Sequence, residues 1–379
     1  MHRPVTTYEM RDTTVTILLG TGLVLLAFCL VLRLYPPLGA KAAGDRLQTV
    51  RGSAHYVKNK FVNLIPTSMS TGFRDMLSTV KEMIRGIPNS RPQPGTTAGK
   101  LNPADLVNPK ESKVIWLGHS SLLVQISGLT LLLDPMFGTA PSPVPFVGGK
   151  RYSPAPPVDV NALPPIDAVL LSHDHYDHLD YGTIRRLHRK VGHFYVPLGV
   201  GAHLERWGVP AAKITETDWW DEMELKDLKL RCTPSRHFSG RSLTDRNATL
   251  WCSWVLEGVQ EKIFFSGDSG YGPHFREIGE RYGPFDLTLM ECGQYNERWE
   301  AIHMLPEQTI QAHQEVGGKL LLPIHWGAFT LSLHAWNEPV ERAVAAAEKQ
   351  GVPMVTPRIG EPVLLDSTSQ PSTRWWRNS

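Results

Sequence analysis

Short apolar runs alternate with polar punctuation along most of this chain, and their lengths are those of strands. Such runs occupy Val114–Leu117, Leu122–Ile126, Thr130–Leu133, Ala168–Leu171, Phe194–Pro197, Leu228–Cys232, Leu250–Leu256, Lys262–Phe265, Leu287–Met290 and Leu320–Ile324. Helix-like periodicity lies between and after them, at Tyr181–Lys190, Pro273–Tyr282, Pro306–Val316 and Glu338–Gln350. Pro306 suits a first helical turn, where no backbone N–H is needed, and Glu307 suits its positive end. Hairpin-like spacing comes first and strand–helix alternation follows. That order predicts an α+β fold of two packed sheets with helices outside, a four-layer αββα sandwich over residues 111–366. Before it, residues 36–110 read as a linker with short helical segments such as Phe73–Ile84; Asn89–Pro103 is rich in Pro, Gly, Thr and Asn. Residues 367–379, which include "STRWWRNS", read as a tail.

The N-terminus has a different texture. Thr13–Leu32 runs twenty residues without a charge. As a helix it spans about 30 Å, the thickness of a bilayer core. Residues 1–35 are therefore expected to form a membrane anchor, an N-terminal transmembrane helix. A cleaved signal peptide, ending near Ala40-Lys41-Ala42, is the alternative. Arg3 and Arg11 precede the run, while Arg33, Lys41, Arg46, Arg51, Lys58 and Lys60 follow it. By the positive-inside rule this predicts a single-pass protein with its bulk on the cytoplasmic side.

Charge narrows the partners. The 39 basic residues nearly balance 37 acidic ones, for a net charge of +2, and no basic stripe appears, which argues against nucleic acid. The four cysteines lack CxxC spacing, which argues against a disulfide framework and against a thiolate zinc site.

The chemistry concentrates in "LSHDHYDHLD", Leu171 to Asp180, directly after the apolar "DAVLL" run. His173 and His175, two apart, point the same way on extended chain. Asp177 and His178 follow at the turn into the next helix and can face the same pocket. Imidazole and carboxylate without thiolate suit zinc and, less specifically, iron or manganese. Further ligand types stand after later strands: His237 in "CTPSRHFSG", Asp268 in "FFSGDSG" and His325 in "LLPIHWG". Together they make seven candidate ligands for two metals.

This pattern resembles the metallo-β-lactamase superfamily. The flanking motifs "WLGHSSLLVQ", "LPPIDAVLLSHDHYDHLDY", "DWWDE", "TPSRHFSGRSLTDRNATLWCSW", "GDSGY", "IGERYGPFDL" and "IHWGAF" resemble its branch of N-acylphosphatidylethanolamine-hydrolysing phospholipases D, from about Ser112 to Val340. The resemblance implies a metallo-β-lactamase fold. It implies two Zn²⁺ per chain, one held by His173, His175 and His237, the other by Asp177, His178 and His325, with Asp268 bridging. His303, in "AIHMLPEQ", falls where the family keeps a histidine near the substrate head group; a helix-capping or surface histidine is the alternative. Asp177, Asp268 and His303 are the catalytic candidates. Two cations answer the charge of a phosphodiester: a water between them loses its proton near neutral pH and attacks, while the metals neutralise developing charge.

Other polar residues carry weaker expectations. His119 would orient a ligand or merely end a strand. Asp134, in "LLLDP", is a candidate acceptor behind the ligands. Asp218, before two tryptophans, would pair with a ligand histidine or belong to a packing element. Trp375 and Trp376, between Arg374 and Arg377, make a membrane-seeking patch or a disordered tail.

The function expected is a zinc-dependent phosphoric diester hydrolase acting on N-acylphosphatidylethanolamine or a related membrane phospholipid, releasing phosphatidic acid and an N-acylethanolamine. A homodimer is compatible with it. The alternatives are a lactonase or other small-molecule hydrolase of the same fold, and a non-catalytic metal-binding membrane scaffold, which would show a broken ligand set.

Overall fold

The computed structural model describes residues 7–68, 72–97, 99–146 and 149–377. After helix α1 (Thr7–Leu34), helix α2 (Gly44–Gly52), the hairpin β1 (Tyr56–Val57) and β2 (Lys60–Phe61), and helix α3 (Phe73–Arg85), the chain enters two sheets. The first contains β3 (Lys113–Trp116), β4 (Leu122–Ile126), β5 (Leu129–Leu133), β6 (Ile166–Leu170), β7 (Val191–Pro197) and β8 (Ile214–Thr217). The second contains β9 (Glu222–Leu225), β10 (Leu228–Thr233), β11 (Ser253–Glu257), β12 (Lys262–Phe265), β13 (Phe285–Glu291) and β14 (Gly318–Ile324). A last strand, β15 (Pro362–Leu364), returns to the first sheet beside β3 and makes it seven-stranded. Helices α4 (Tyr181–Leu187) and α5 (Gly201–Arg206) fall within the first half, and α6 (His274–Tyr282), α7 (Pro306–Glu315) and α8 (Glu338–Gln350) within the second.

Side-chain alternation decides the layers. On β5, Leu131 and Leu133 join one core cluster and Leu132 another; on β12, Ile263 and Phe265 join the first cluster and Phe264 a third. The cluster of Leu131, Leu133, Ile263 and Phe265 lies between the sheets. Leu132 packs with Ile184 and Leu187 of α4, and Phe264 with Phe275 of α6, Ile310 of α7 and Ala346 of α8. Helix, sheet, sheet and helix are thus stacked in four layers, as the α+β, αββα reading expects. Strands that are buried on both faces explain why their sequences read as continuous apolar runs.

The elements missing from the sequence reading are short or lie at edges. β8, β9 and β15 each end a sheet. β9, Glu-Met-Glu-Leu, alternates exposed and half-buried residues, and so carries too little apolar signal to stand out.

Two segments behave differently from expectation. The residues read as a linker partly join the core: Val50 and Phe61 are buried against the inter-sheet cluster. The residues read as a tail do so as well. Trp375 and Trp376 are buried at 2% and 0% exposure, with Trp375 stacked 5.5 Å from Trp326 and Trp376 edge-on to it at 5.7 Å. An indole buries more apolar area than any other side chain, so a docked end beats a free one here.

Among the described residues, no helix is long and apolar enough to cross a membrane. The side chains at positions 7–14, 25, 28, 29 and 31–33 of α1 lie outside the described residues, Cys29 among them. The apolar ones described there, from Val15 to Leu34, are 52% to 69% exposed. Cys232, Cys252 and Cys292 are buried and free.

Candidate metal centre

Strand direction brings the candidate ligands together. β5, β6 and β7 run parallel, as do β12, β13 and β14. β3 lies two antiparallel steps from β5, and β10 two from β12, so both point the same way as those strands. The C-terminal ends of β3, β5, β6, β10, β12, β13 and β14 therefore open onto one edge of the sandwich. The residues that follow them are His119, Asp134, His173 to His178, His237, Asp268, Glu291 (the last of β13) and His325. An edge of this kind is where open α/β sheets place their sites.

The backbone turns sharply to point these side chains inward. His119, Asp134 and His325 have φ of +54°, +40° and +68°, a region that L-residues enter at a cost and that clusters at functional sites. Gly267 permits the approach beside Asp268: at φ +55°, a Cβ there would meet Ser172 Cβ at 2.7 Å. Gly270 does the same for the loop that carries His303, since a Cβ would stand 2.0 Å from Ala301 O.

Ligand-type atoms of His173, His175 and His237 lie within 4.8 Å of one another, and so do those of His119, Asp177, His178 and His325. Asp268 stands between the two groups. Its Oδ2 is 3.8 Å from His173 Nε2, 3.7 Å from His237 Nε2 and 3.1 Å from His178 Nε2, and its Oδ1 is 3.0 Å from His325 Nδ1.

Partners on the far side of each ring set the tautomers. His237 Nδ1 faces the Ile302 carbonyl at 3.0 Å, so it must donate. His178 Nδ1 faces Asp134 Oδ2 at 2.7 Å and donates too. Ser172 Oγ gives its proton to Asp134 Oδ2 at 2.5 Å and so accepts from His173 Nδ1 at 2.9 Å. All three imidazoles thus turn a bare Nε2 inward, the form a metal binds. Asn63, from the segment read as a linker, clamps the His237 main chain at both N (3.2 Å) and O (2.8 Å).

Electrostatics agree for His173, His175, His237 and His325, whereas His178 and Asp268 favour a proton held between them. Burial, and after it neighbouring imidazoles, hold His173 and His237 well below the ordinary histidine range; burial and then His119 do so for His325. Burial likewise pushes His175 down to about 4. Burial opposes ionisation of Asp177, but His178 and His119 hold its carboxyl well below the usual range. Burial works against the His178 cation, yet Asp268, Asp177 and Asp134 raise it well above normal. Burial lifts Asp268 to about 6 in spite of His178.

Does a metal fit? His173 Nε2 is 2.9 Å, and His237 Nε2 3.2 Å, from His175 Nδ1, so at most one proton serves three converging nitrogens. His178 Nε2 and Asp268 Oδ1 are buried and make no well-aligned hydrogen bond, although Asp268 Oδ2 and His325 Nδ1 stand 3.1 Å and 3.0 Å from them. Orphaned buried atoms of this sort are expensive unless something else satisfies them. Cations at the centre would satisfy all of them, and the N and O donors suit zinc, iron or manganese.

The remaining expectations divide. His119 Nε2 lies 2.9 Å from Asp177 Oδ2 and Asp134 sits behind His173 and His178, so both touch ligand-type residues. Asp218 does not: its carboxylate accepts the Trp219 N–H at 2.8 Å in the turn before β9. Short acidic side chains prefer such local bonds, and Trp219 is a core residue. His303 is no surface histidine. Its ring centroid is 5.0 Å from that of His237 and 5.1 Å from that of His325. Glu291 was missed altogether. It is fully buried, its Oε2 lies 2.8 Å from His303 Nδ1, and it can share a ligand group with Asp268, His303 and His325. Its signal was an acid closing the strand "FDLTLME", whose other acid, Asp286, stands at the opposite end.

Residues 130–326 match the family described as the β-lactamase superfamily domain. The chain belongs to that superfamily. An uncharacterised protein of Mycobacterium tuberculosis is 43% identical over 353 residues, which are 90% of this chain and 91% of that protein. N-acyl-phosphatidylethanolamine-hydrolyzing phospholipase D 1 of Caenorhabditis elegans is 34% identical over 229 residues, 57% of this chain and 64% of that protein. The branch that the flanking motifs resemble is thus the branch in which similar proteins are found. Igni18, a metallo hydrolase of the archaeon Ignicoccus hospitalis, shares the fold with a TM-score of 0.52 at 19% identity, covering 67% of this chain and 98% of that one. Fold and donor cluster together are those of a metal-dependent hydrolase.

Proposed function

We infer that this protein is a binuclear zinc phosphodiesterase of phospholipase D type, hydrolysing N-acylphosphatidylethanolamine or a related phospholipid to phosphatidic acid and an N-acylethanolamine. The observation that carries the reading is Asp268, a buried carboxylate within 3.8 Å of imidazole nitrogens from both ligand groups. The similarity to a phospholipase D of this class supports the substrate.

In this reading His173, His175 and His237 would hold one zinc and Asp177, His178 and His325 the other, with Asp268 placed to serve both. The pair would supply Lewis acidity toward the phosphate and lower the pKa of water. The chain's own residues do the rest. His119 fixes Asp177 through its 2.9 Å contact, so that this carboxylate can orient the attacking water. His303, beside both ligand groups, gives a proton to the departing ethanolamine oxygen.

The membrane reading rests on α1 and its exposed apolar side chains. With α1 in the bilayer and the basic residues after it on the cytoplasmic face, the site would meet its lipid in two dimensions. A cavity of about 550 Å³ at the foot of α1, lined by Tyr35, Pro36, Phe137, Pro143 and Tyr176, is compatible with that approach.

The test is direct: incubate the zinc-loaded protein with defined phospholipids and with a lactone, and weigh the products. Phosphatidic acid with N-acylethanolamine supports the reading. Hydrolysis of the lactone alone replaces it with the lactonase, and no turnover of either replaces it with a binding role.

A further inference from the structure

Glu291 has no part in the ligand sets above, yet it is among the most thoroughly built side chains near the site. It closes β13, fully buried. Its Oε1 accepts the Met304 N–H at 2.7 Å. Its own N–H goes to Ser266 Oγ at 3.0 Å, and its carbonyl takes the Thr309 hydroxyl at 2.8 Å. Both ends of the residue are thus tied to the loop after β12 and to the start of α7. The remaining oxygen, Oε2, lies 2.8 Å from His303 Nδ1. A buried carboxyl held at this many points has one orientation, and the ring that it touches inherits it.

We propose that Glu291 is a positioning residue for the reaction: it holds His303 with the proton on Nδ1 and Nε2 turned to the departing oxygen. The inference rests on the phosphodiesterase reading above. A histidine that donates from one nitrogen to a fixed carboxylate has its tautomer and ring angle set by that bond, and loss of such a partner misplaces the working nitrogen. The step balances. The bond from phosphorus to the ethanolamine oxygen breaks, and its electron pair goes to that oxygen. That oxygen takes the proton from His303 Nε2. Water forms the new P–O bond, and the proton it sheds recharges the imidazole through solvent. A diester and a water become a monoester and an alcohol, with no change of oxidation state.

The same geometry admits a rival, because Glu291 lies close enough to Asp268 and His325 to be a metal ligand itself. The experiment has to separate the two, and to separate both from failure of the parent reading. Glu291→Gln keeps the shape and one acceptor oxygen but puts an NH₂ against either Met304 N–H or His303 Nδ1. It is compared with wild type, His303→Gln and the double variant. The substrates are an N-acylphosphatidylethanolamine, whose alkoxide leaving group needs a proton, and bis(4-nitrophenyl) phosphate, whose phenolate does not. Metal content and melting temperature are read on the same preparations.

Glu291→Gln should lose about 10²-fold in kcat on the lipid, the scale of one general acid, with KM little changed. The loss on the nitrophenyl ester should be at least ~10-fold smaller, since that leaving group bypasses the acid. His303→Gln should show the same contrast, and the double variant should be no worse than His303→Gln alone, as for residues acting in one unit. Both metals and the melting temperature should be retained. If His303→Gln shows the contrast and Glu291→Gln does not, or if Glu291→Gln loses metal, the positioning role alone is overturned. If His303→Gln shows no contrast, or wild type cleaves neither ester, the parent reading falls and the inference goes with it.

Discussion

Asp134 accepts a hydrogen bond from His178 Nδ1 at 2.7 Å while taking Ser172 Oγ on the same oxygen, and Ser172 in turn takes His173 Nδ1. One buried carboxylate therefore sets the tautomers of two ligand-type histidines, one in each metal group. Its other oxygen accepts the Ser172 N–H at 2.7 Å, which locks it to the start of the motif. Asp134→Asn would present an NH₂ donor either to that N–H or to His178 Nδ1, and one ring would have to turn. Partners of this kind are worth 10- to 100-fold in metal affinity. A competition titration with a zinc chelator should show weakening of about that size. Unchanged affinity would mean that the rings hold their tautomers without Asp134.

Asp268→Asn tests the bridge. It removes the one negative charge that lies between the two groups. The variant should bind less metal and lose at least ~10²-fold in kcat, comparable to losing one main transition-state contact. Folding should survive, because the residue stands beyond the end of β12 and the apolar core does not depend on it. Elemental analysis, melting temperature and kcat on a single preparation decide it; a variant that keeps both metals and its turnover has no bridging carboxylate.

The seven ligand candidates were readable because each follows an apolar run, and the alternation of His173 and His175 is a pattern that no solvated loop needs. The sheets were readable for the same reason: core strands such as Leu129–Leu133 are apolar on both faces. Glu291 was not readable. A single acid at a strand end has no spacing to mark it, and only the fold brings it to His303 from twelve positions away. Asp218 had two readings, and its place is the packing one: the carboxylate serves its own turn beside the buried Trp219. The edge strands were lost because half-exposed segments as short as β9 carry polar residues. Asn63 could not be foreseen either: nothing in "FVNLIP" announces that it will hold the main chain of His237.

Acid should expose a cost that lies away from the metal site. His313 on α7 is 1% exposed, and its Nδ1 lies 2.7 Å from Thr288 Oγ1 on β13. Burial pushes its pKa from 6.5 down to about 4. Between those values the unfolded chain binds a proton that the folded one refuses. The stability from this group is thus fully present above pH 6.5 and is lost as pH falls toward 4, by about 1.4 kcal/mol per unit. Denaturant melts of wild type and His313→Gln at pH 7 and pH 5 should show a shallower loss in the variant. Equal losses would place the acid sensitivity elsewhere.

The docked C-terminus makes the last expectation. Trp376 is fully buried, edge-on to Trp326 and Trp375, and its Nε1 donates to Glu341 Oε1 on α8 at 2.8 Å. Trp326 directly follows His325 and stacks on Trp116 at 5.1 Å, and Trp116 Nε1 donates to the His119 carbonyl at 2.7 Å. A line of indoles thus runs from the end of the chain to the backbone of two residues at the metal edge. Trp376→Ala leaves a cavity the size of an indole, and substitutions of that kind cost about 3–5 kcal/mol. The cost should appear as a lower melting temperature in the metal-free protein. If the packing also steadies His325, metal affinity should fall with it. Trp376→Phe, which refills most of the cavity, should restore most of the stability. A free tail would predict no change in either quantity, so a Trp376→Ala protein that melts with wild type would restore the tail reading.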